Sequence, residues 1–578
     1  MRGPRLGVTD EGKFERRFFG SGRPWTWIGE GSPGGKAGGL IAVSNILGAG
    51  LDPALDAALP VSIPTFTVIR SGVFDAFLAQ NRLLDLALSD ASDTEIAQGF
   101  LRASLPAELL GDLRAIVDEV RSPLAVRSSS LLEDALFEPF AGVYATKMIP
   151  NHHASPDERF RRLMEAIKLV YATVFFRSAK NYIRKVGRNV TDEKMAVMLQ
   201  EIVGTKSADR HYPEVSGVAR SYNYYAMGEM QPREGVVSLA LGLGKTVVDG
   251  DPCWLYSPSH PAATPPVGSI GELIDRTQSE FWAVNMGKDP PYDPVNEAEY
   301  LVKLNIAEAE EDERLGLLAS TYDVQSERLR PGTSSAGPRV LNFSGLLVDR
   351  ELPLNDVIRR LLRSCEEFVG APVEIEFALT LRPARFGFLQ VRPMVVSEDM
   401  VEIVDGEFTG GEVLAASEAA LGNGVDTTLR DVVYVRPDRF DLAQSRAIAA
   451  DLEEINFKLM AEERPYILIG FGRWGSSDPW LGIPVTWDQV SGAKVIVEST
   501  HAHRSVDLSQ GSHFFHNLIS FRVLYFSLPA SGGRTIDWGW LDRQRTVAET
   551  ERVRHVRLVS PLTVKVDGRT KRGVIWRS

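Results

Sequence analysis

The side chains best suited to chemistry lie in two short segments, PVEIEFALTL (372–381) and FGFLQVRPM (386–394), separated by RPAR. Both read as strands. Side chains alternate along a strand, so Glu374 and Glu376 share one face, with Ile375 and Phe377 on the other. Gln390 and Arg392 likewise share a face, opposite Leu389 and Val391. Paired as a hairpin, the two strands present carboxylates, an amide and a guanidinium together. Carboxylate and amide oxygens are hard donors suited to Mg²⁺, which is commonly held by few protein groups plus phosphates. An adjacent arginine can neutralise phosphate charge. The same pattern also fits a solvated strand face with a surface ion pair.

Three further clusters suit a phosphate-bearing ligand. In Gly34-Gly35-Lys36-Ala37-Gly38-Gly39, glycines allow close backbone approach and the lysine adds a point charge. The GxxxxGK[ST] spacing of a Walker A loop is absent, and a plain turn before a helix is the alternative. Arg127-Ser128-Ser129-Ser130, with Glu133-Asp134 and Phe140-Ala141-Gly142 behind it, reads as a loop able to cover phosphates, or as an ordinary surface loop. Gly242-Leu243-Gly244 ends an apolar run and allows close backbone approach.

These groups need elements to hold them. An apolar helical pattern starts at Leu40, and Asp75 to Val120 reads as several helices. Ser155-Pro156-Asp157 is a helix start, opening an amphipathic helix with Phe160, Leu163, Ile167, Val170 and Val174 on one face. Met195 to Val203 is almost wholly apolar and reads as a strand buried on both faces. Strands are expected within SGVARSYNYY and GVVSLALGLG, a loop-dominated stretch from Asp251 to Asp293, and an acidic helix at Asn305 to Glu313. Beyond Ser397 the pattern changes. A helix near Phe440 to Met460, a Trp- and Gly-rich segment and several late strands follow.

The 578 residues exceed one core, and 44% hydrophobic with 24% charged residues is ordinary for a globular protein. A net charge of −12 argues against a duplex nucleic-acid partner. The two cysteines, Cys253 and Cys365, support neither a disulfide framework nor a thiolate zinc site. The charged N-terminus lacks a signal-peptide core, and no apolar run approaches the ~20 residues of a membrane span. The expected location is cytoplasmic, without membrane or nucleic-acid partners.

The order of the motifs resembles the ATP-binding domain of the pyruvate phosphate dikinase and phosphoenolpyruvate synthase family. The resemblance runs from about residue 25 to 397: Gly34-Gly35-Lys36, Ala125-Val126-Arg127-Ser128-Ser129 with Glu133-Asp134 and Phe140-Ala141-Gly142, Leu199-Gln200-Glu201-Ile202-Val203, Ser216-Gly217-Val218, Gly242 to Gly244, Glu374 to Phe377, and Leu389 to Pro393. It implies an α/β (α+β) fold: a two-lobed ATP-grasp-like module followed by a smaller α/β domain. The divisions expected are an extension at 1–24, lobes at 25–215 and 216–398, and a C-terminal domain at 399–578. It also implies ATP and Mg²⁺ as cofactors. Lys36 and Arg127 would contact phosphates, and Gly142 and Thr146 would lie in the covering loop. Gln200, Glu201 and Val203 would sit near adenine. Glu376 and Gln390 would hold Mg²⁺, and Arg392, with Arg127, would act on the transferring phosphoryl group.

The sequence departs from the family pattern at Ser130, Leu131 and Leu132, at Ala219, Arg220 and Ser221, and at Lys245. The last 180 residues or so are too few for the barrel of ~250 residues that full-length members carry, and no TSHAA motif is present. His501, His503, His513 and His516 cluster there; His513 is the candidate acceptor, with ordinary surface or core histidines as the alternative. Arg473 with Ser476, Ser477 and Asp478 could bind an anionic acceptor, while Trp474 and Trp480 read as core aromatics. The expected activity is a dikinase-type phosphotransferase, a kinase acting on a histidine, a small molecule or a partner subunit carrying a phospho-histidine domain. The alternatives are an ATP sensor without transfer and a carboxylate–amine ligase.

Overall fold

The computed structural model describes residues 12–577 except 49, 51, 131–132, 134–141, 186, 225–229, 264–269, 395–400, 410–411, 477, 479–480, 501–511, 529–535 and 569. Asp134, Phe140, Ala141, Leu131, Leu132, Ser477, Trp480, His501 and His503 therefore lie outside the described residues. The chain divides into two units. One comprises Met1–Ala219, Leu239–Gly244 and Trp254–Pro393; the other comprises Arg220–Ser238, Lys245–Cys253 and Met394–Ser578.

In the first unit the run at Met195 forms the strand Met195–Glu201, with its first six residues buried. It is the middle of a five-stranded sheet ordered Trp25–Ile28, Phe66–Ile69, Met195–Glu201, Leu124–Ser130, Thr146–Ile149. Both of its neighbours run antiparallel to it. The helix expected from Ser155 is Pro156–Thr173, with the Ser155 side chain accepting from the Glu158 N–H. Leu163, Ala166, Ile167 and Val170 on its inner face are buried. The Asp75 to Val120 stretch resolves into Ser71–Asn81, Leu84–Leu88, Asp93–Arg102 and Ala107–Glu119.

Glu158 gives this region a pH dependence. Hydrogen bonds from Arg161 hold its carboxyl down at about 2, against the opposing effect of burial and with help from Arg162. Its folded value lies below the ordinary 4.5. Its contribution to stability is therefore complete above that ordinary value and is lost as pH falls toward 2. Glu158→Gln should flatten the acid limb of stability between about pH 5 and 2, read by circular dichroism; an unchanged limb would remove this role.

The two informative strands pair as Val373–Leu381 and Ala384–Pro393, antiparallel, with Glu374 opposite Arg392 and Glu376 opposite Gln390. They sit in a second sheet beside Val215–Arg220 on one side and Val61–Ser62 on the other. Glu374, Gln390 and Arg392 are 1%, 2% and 4% exposed, so the surface ion-pair alternative does not hold.

Two expectations need correction. Arg127-Ser128-Ser129-Ser130 is not a loop but the end of the strand Leu124–Ser130, with its three serines fully buried. The Asp251 to Asp293 stretch is loop over most of its described residues, as expected, and also carries the strands Trp254–Tyr256 and Glu280–Asn285 and the helix Ile270–Arg276. Phe281, Ala283 and Val284 are fully buried, a pattern that the surrounding prolines and aspartates obscure. The glycine-rich segment is also not a loop running up to Leu40: the helix begins at Gly34 and spans Gly34–Gly48. Gly34 has φ +77, and a Cβ there would lie 1.8 Å from the Ser129 carbonyl oxygen, so glycine is required at this helix start. The Ser129 hydroxyl accepts from the Ala37 N–H at 3.1 Å and donates to the Pro33 carbonyl at 2.8 Å, which caps the helix from another strand.

The second unit is α/β. Asp431–Val435, Tyr466–Phe471, Ala493–Ser499 and Leu524–Leu528 run parallel, in that order, within a seven-stranded sheet. A four-stranded sheet of Val413–Ser417, Arg572–Trp576, Thr563–Asp567 and Gly424–Asp426 accompanies it. One apolar core joins residues of both sheets, among them Ala415, Tyr434, Ile467, Val497, Phe526, Val564 and Ile575. The helix expected near Phe440 to Met460 is Ser445–Ala461.

Candidate functional site

Arg127 is the hub of the site. It stands on Leu124–Ser130, opposite Met198 on one neighbouring strand and Thr146 on the other. Its Nη1 donates to Gln200 Oε1 and to the Leu389 carbonyl, both at 3.0 Å, and its Nη2 donates to Gln390 Oε1 at 2.7 Å. Nη2 also lies 3.6 Å from Glu376 Oε2. One guanidinium thus ties the five-stranded sheet to the polar face of the hairpin. On that face Arg392 Nε donates to Glu374 Oε1 at 2.5 Å, and Nη2 lies 3.7 Å from Glu376 Oε1. Glu374 therefore fixes Arg392, while Glu376 stands between two guanidinium groups.

Lys36, on the first turn of Gly34–Gly48, forms a second node. Its Nζ is 2.8 Å from Glu133 Oε1 and 3.3 Å from Ser128 Oγ. The Glu133 carboxylate also accepts from Ser128 Oγ at 2.8 Å and from the Ser130 N–H at 2.9 Å. Since Glu133 is 2% exposed, Lys36→Met leaves a buried carboxylate without its countercharge. The expected loss is about 3 kcal/mol of stability, with partial recovery in Lys36→Met/Glu133→Gln. Urea unfolding measures both, and a neutral single variant would contradict the pairing.

The described residues fit a nucleotide and a divalent cation. Gln200 is buried and its Nε2 has no hydrogen-bond partner, which leaves a donor for a ligand. Lys36, Arg127 and Arg392 are matched in number by Glu133, Glu374 and Glu376, so a polyanionic ligand needs added positive charge. Glu376 and Gln390 face each other in register. The Gln390 amide oxygen accepts from Arg127, and the Glu376 carboxylate lies at ion-pair distances of 3.6 and 3.7 Å from its two arginines. At those distances the Glu376 oxygens are hydrogen-bonded to neither arginine and suit a divalent cation. Among the described residues no group of three or more His, Cys, Asp or Glu could hold a metal.

Beyond Gln200 the chain borders a cleft of about 390 Å³, lined by Glu201, Val203 and Thr205 on one side and by Thr380, Arg385 and Gly387 on another. Glu201 accepts from Ser122 Oγ at 2.7 Å. A Cβ at Gly387 would approach Val203 Cγ2 to 2.5 Å. Thr380, Arg385 and Gly387 are not among the residues expected from the sequence, where the lone glycine between Phe386 and Phe388 is the available signal of a close approach. Gly142, with φ +70, lies in a turn before Thr146–Ile149, and the Thr146 N–H donates to Glu297 Oε1 at 3.0 Å. His513 belongs to the other unit, as the first residue of the helix His513–Ser520, and is not among the groups gathered by Arg127.

The sequence model of the family described as pyruvate phosphate dikinase, AMP/ATP-binding domain, matches residues 31–409. The chain belongs to this family. Every residue expected to contact ATP or Mg²⁺ falls within the matched stretch, including the Lys36 helix turn and the Glu376–Gln390 hairpin, whereas His513 and Arg473 lie outside it. Residues 31–409 are thus an ATP-binding domain of dikinase type, and the family is one of kinase-like enzymes. No curated protein matches the chain. Among the described residues no helix is long and apolar enough to cross a membrane.

Proposed function

We propose that this chain is an ATP- and Mg²⁺-dependent phosphotransferase of dikinase type, with the nucleotide held between the Arg127 strand and the Glu376–Gln390 hairpin. The observation that carries this reading is the convergence of Arg127 on Gln200, Gln390 and Glu376, supported by the unpartnered Gln200 Nε2. The lobes of the nucleotide domain are taken as 25–215 and 216–398, with a distinct domain at 399–578. In this reading Lys36, Arg127 and the N-terminus of Gly34–Gly48 bind phosphates. Gly142 and Thr146 flank them, and Gln200, Glu201 and Val203 accommodate adenine. Glu376 and Gln390 hold Mg²⁺, which when bound neutralises triphosphate charge and orients the phosphates. Arg392, braced by Glu374, stabilises charge on the transferring phosphoryl group. His513, a small molecule or a partner subunit receives it, in the cytoplasm.

ATP labelled separately at the β and γ phosphates tests the reading. AMP formation, with label retained on protein or product, is the expected result. ADP alone would make the chain a simple kinase or ATPase. Binding without turnover across an acceptor panel would make it a sensor.

A further inference from the structure

In the C-terminal unit Arg473 is a buried cation with no carboxylate partner among the described residues. Its four parallel strands end along one edge, the edge at which open α/β sheets bind ligands. Arg473 follows directly on one of the two inner strands of that set, Tyr466–Phe471, after Gly472. Gly472 has φ +70, and a Cβ there would lie 2.9 Å from both Gly482 Cα and the Leu481 carbonyl oxygen, so the turn is fixed. Arg473 is 9% exposed. Its Nη1 donates to the Gly250 carbonyl at 2.6 Å, while its buried Nε has no acceptor. Among the described residues no carboxylate oxygen stands within 4.0 Å of the guanidinium.

The turn receiving Nη1 holds a second such atom. Thr246, on Lys245–Val248, accepts the Asp251 N–H at its carbonyl, yet its buried hydroxyl has no partner. A buried guanidinium with an unbonded Nε is costly. An anion at that nitrogen relieves the cost. The Ser476 hydroxyl accepts from the Asp478 N–H at 3.2 Å and keeps its own proton to donate, while the charge that would bind an anion is that of Arg473.

We propose that Arg473 anchors a site in the C-terminal unit for the oxyanion of a small molecule, a carboxylate or a phosphate. The planar fork of arginine suits both. The site stands independently of whether the nucleotide domain turns over; assigning it to the phosphate acceptor rests on the proposed phosphotransfer.

Titration calorimetry of the full chain with inorganic phosphate, and separately with acetate, tests this. Saturable binding of at least one is expected, and which one binds separates phosphate from carboxylate ligands. Arg473→Met should abolish that binding and Arg473→Lys should weaken it at least about tenfold, with folding checked by circular dichroism. Arg127→Met should leave it intact, which excludes phosphate occupying the nucleotide site. Absence of saturable binding by either anion up to about 50 mM in the unaltered protein, or unchanged binding in a folded Arg473→Met, would overturn the proposal. Loss of nucleotide turnover with anion binding intact would instead count only against the phosphotransfer reading.

Discussion

Arg127→Met should weaken ATP binding by about 10²–10³-fold and lower stability as well. The wild-type guanidinium satisfies two buried amide oxygens, Gln200 Oε1 and Gln390 Oε1, and the Leu389 carbonyl. Methionine fills much of the volume but leaves those acceptors bare, at a cost of about 1–3 kcal/mol for each group that water cannot reach. Arg127→Lys should recover little. A single ammonium cannot reproduce the two nitrogens that reach three acceptors and also stand beside Glu376. Calorimetric titration with ATP, together with urea unfolding, measures the two effects. A variant that loses stability but binds ATP normally would make Arg127 a structural strut only.

The second large effect falls on Glu376. Glu376→Gln conserves shape while removing the charge that suits a divalent cation. Turnover should fall by about 10²–10³-fold, and the Mg²⁺ concentration for half-maximal rate should rise. The fold should tolerate the change, because the Glu376 carboxylate lies 3.6 and 3.7 Å from its two arginines. Glu374→Gln should behave differently. Glu374 is 1% exposed and hydrogen-bonded to Arg392, so that change should lower stability and loosen Arg392 together. Steady-state rates against Mg²⁺ concentration, with thermal melts of both variants, separate the two roles. Equal melting losses in the two variants would contradict the assignment.

The hairpin was legible because strand periodicity alone puts Glu374, Glu376, Gln390 and Arg392 on common faces, and the observed register pairs them accordingly. Its burial was not legible: alternation reports which side chains share a face, not whether another layer covers it. The N-terminus of the Lys36 helix was misread for a related reason. Six residues that include four glycines look like loop, yet Ser129, far away in sequence, supplies the cap that lets a helix begin at Gly34. The central strand that leads into Glu201–Val203 was recognised through its apolar run. The opposite wall at Thr380, Arg385 and Gly387 was not, since a cleft arises from the packing of separate strands. In the C-terminal unit only several late strands were expected, and local sequence could not give the parallel order of Asp431–Val435, Tyr466–Phe471, Ala493–Ser499 and Leu524–Leu528. Arg473 was singled out as an anion-binding candidate by composition; that its buried Nε lacks an acceptor is a property of the fold.

In the proposed reaction nucleotide and metal meet on the Glu376–Gln390–Arg392 face. Pulsed electron paramagnetic resonance of the protein with ATP and Mn²⁺ in place of Mg²⁺ measures this directly. One protein-bound Mn²⁺ with phosphorus couplings from ATP is expected, with loss of that species in both Glu376→Gln and Gln390→Ala. A bound Mn²⁺–ATP signal unchanged in both variants would contradict it.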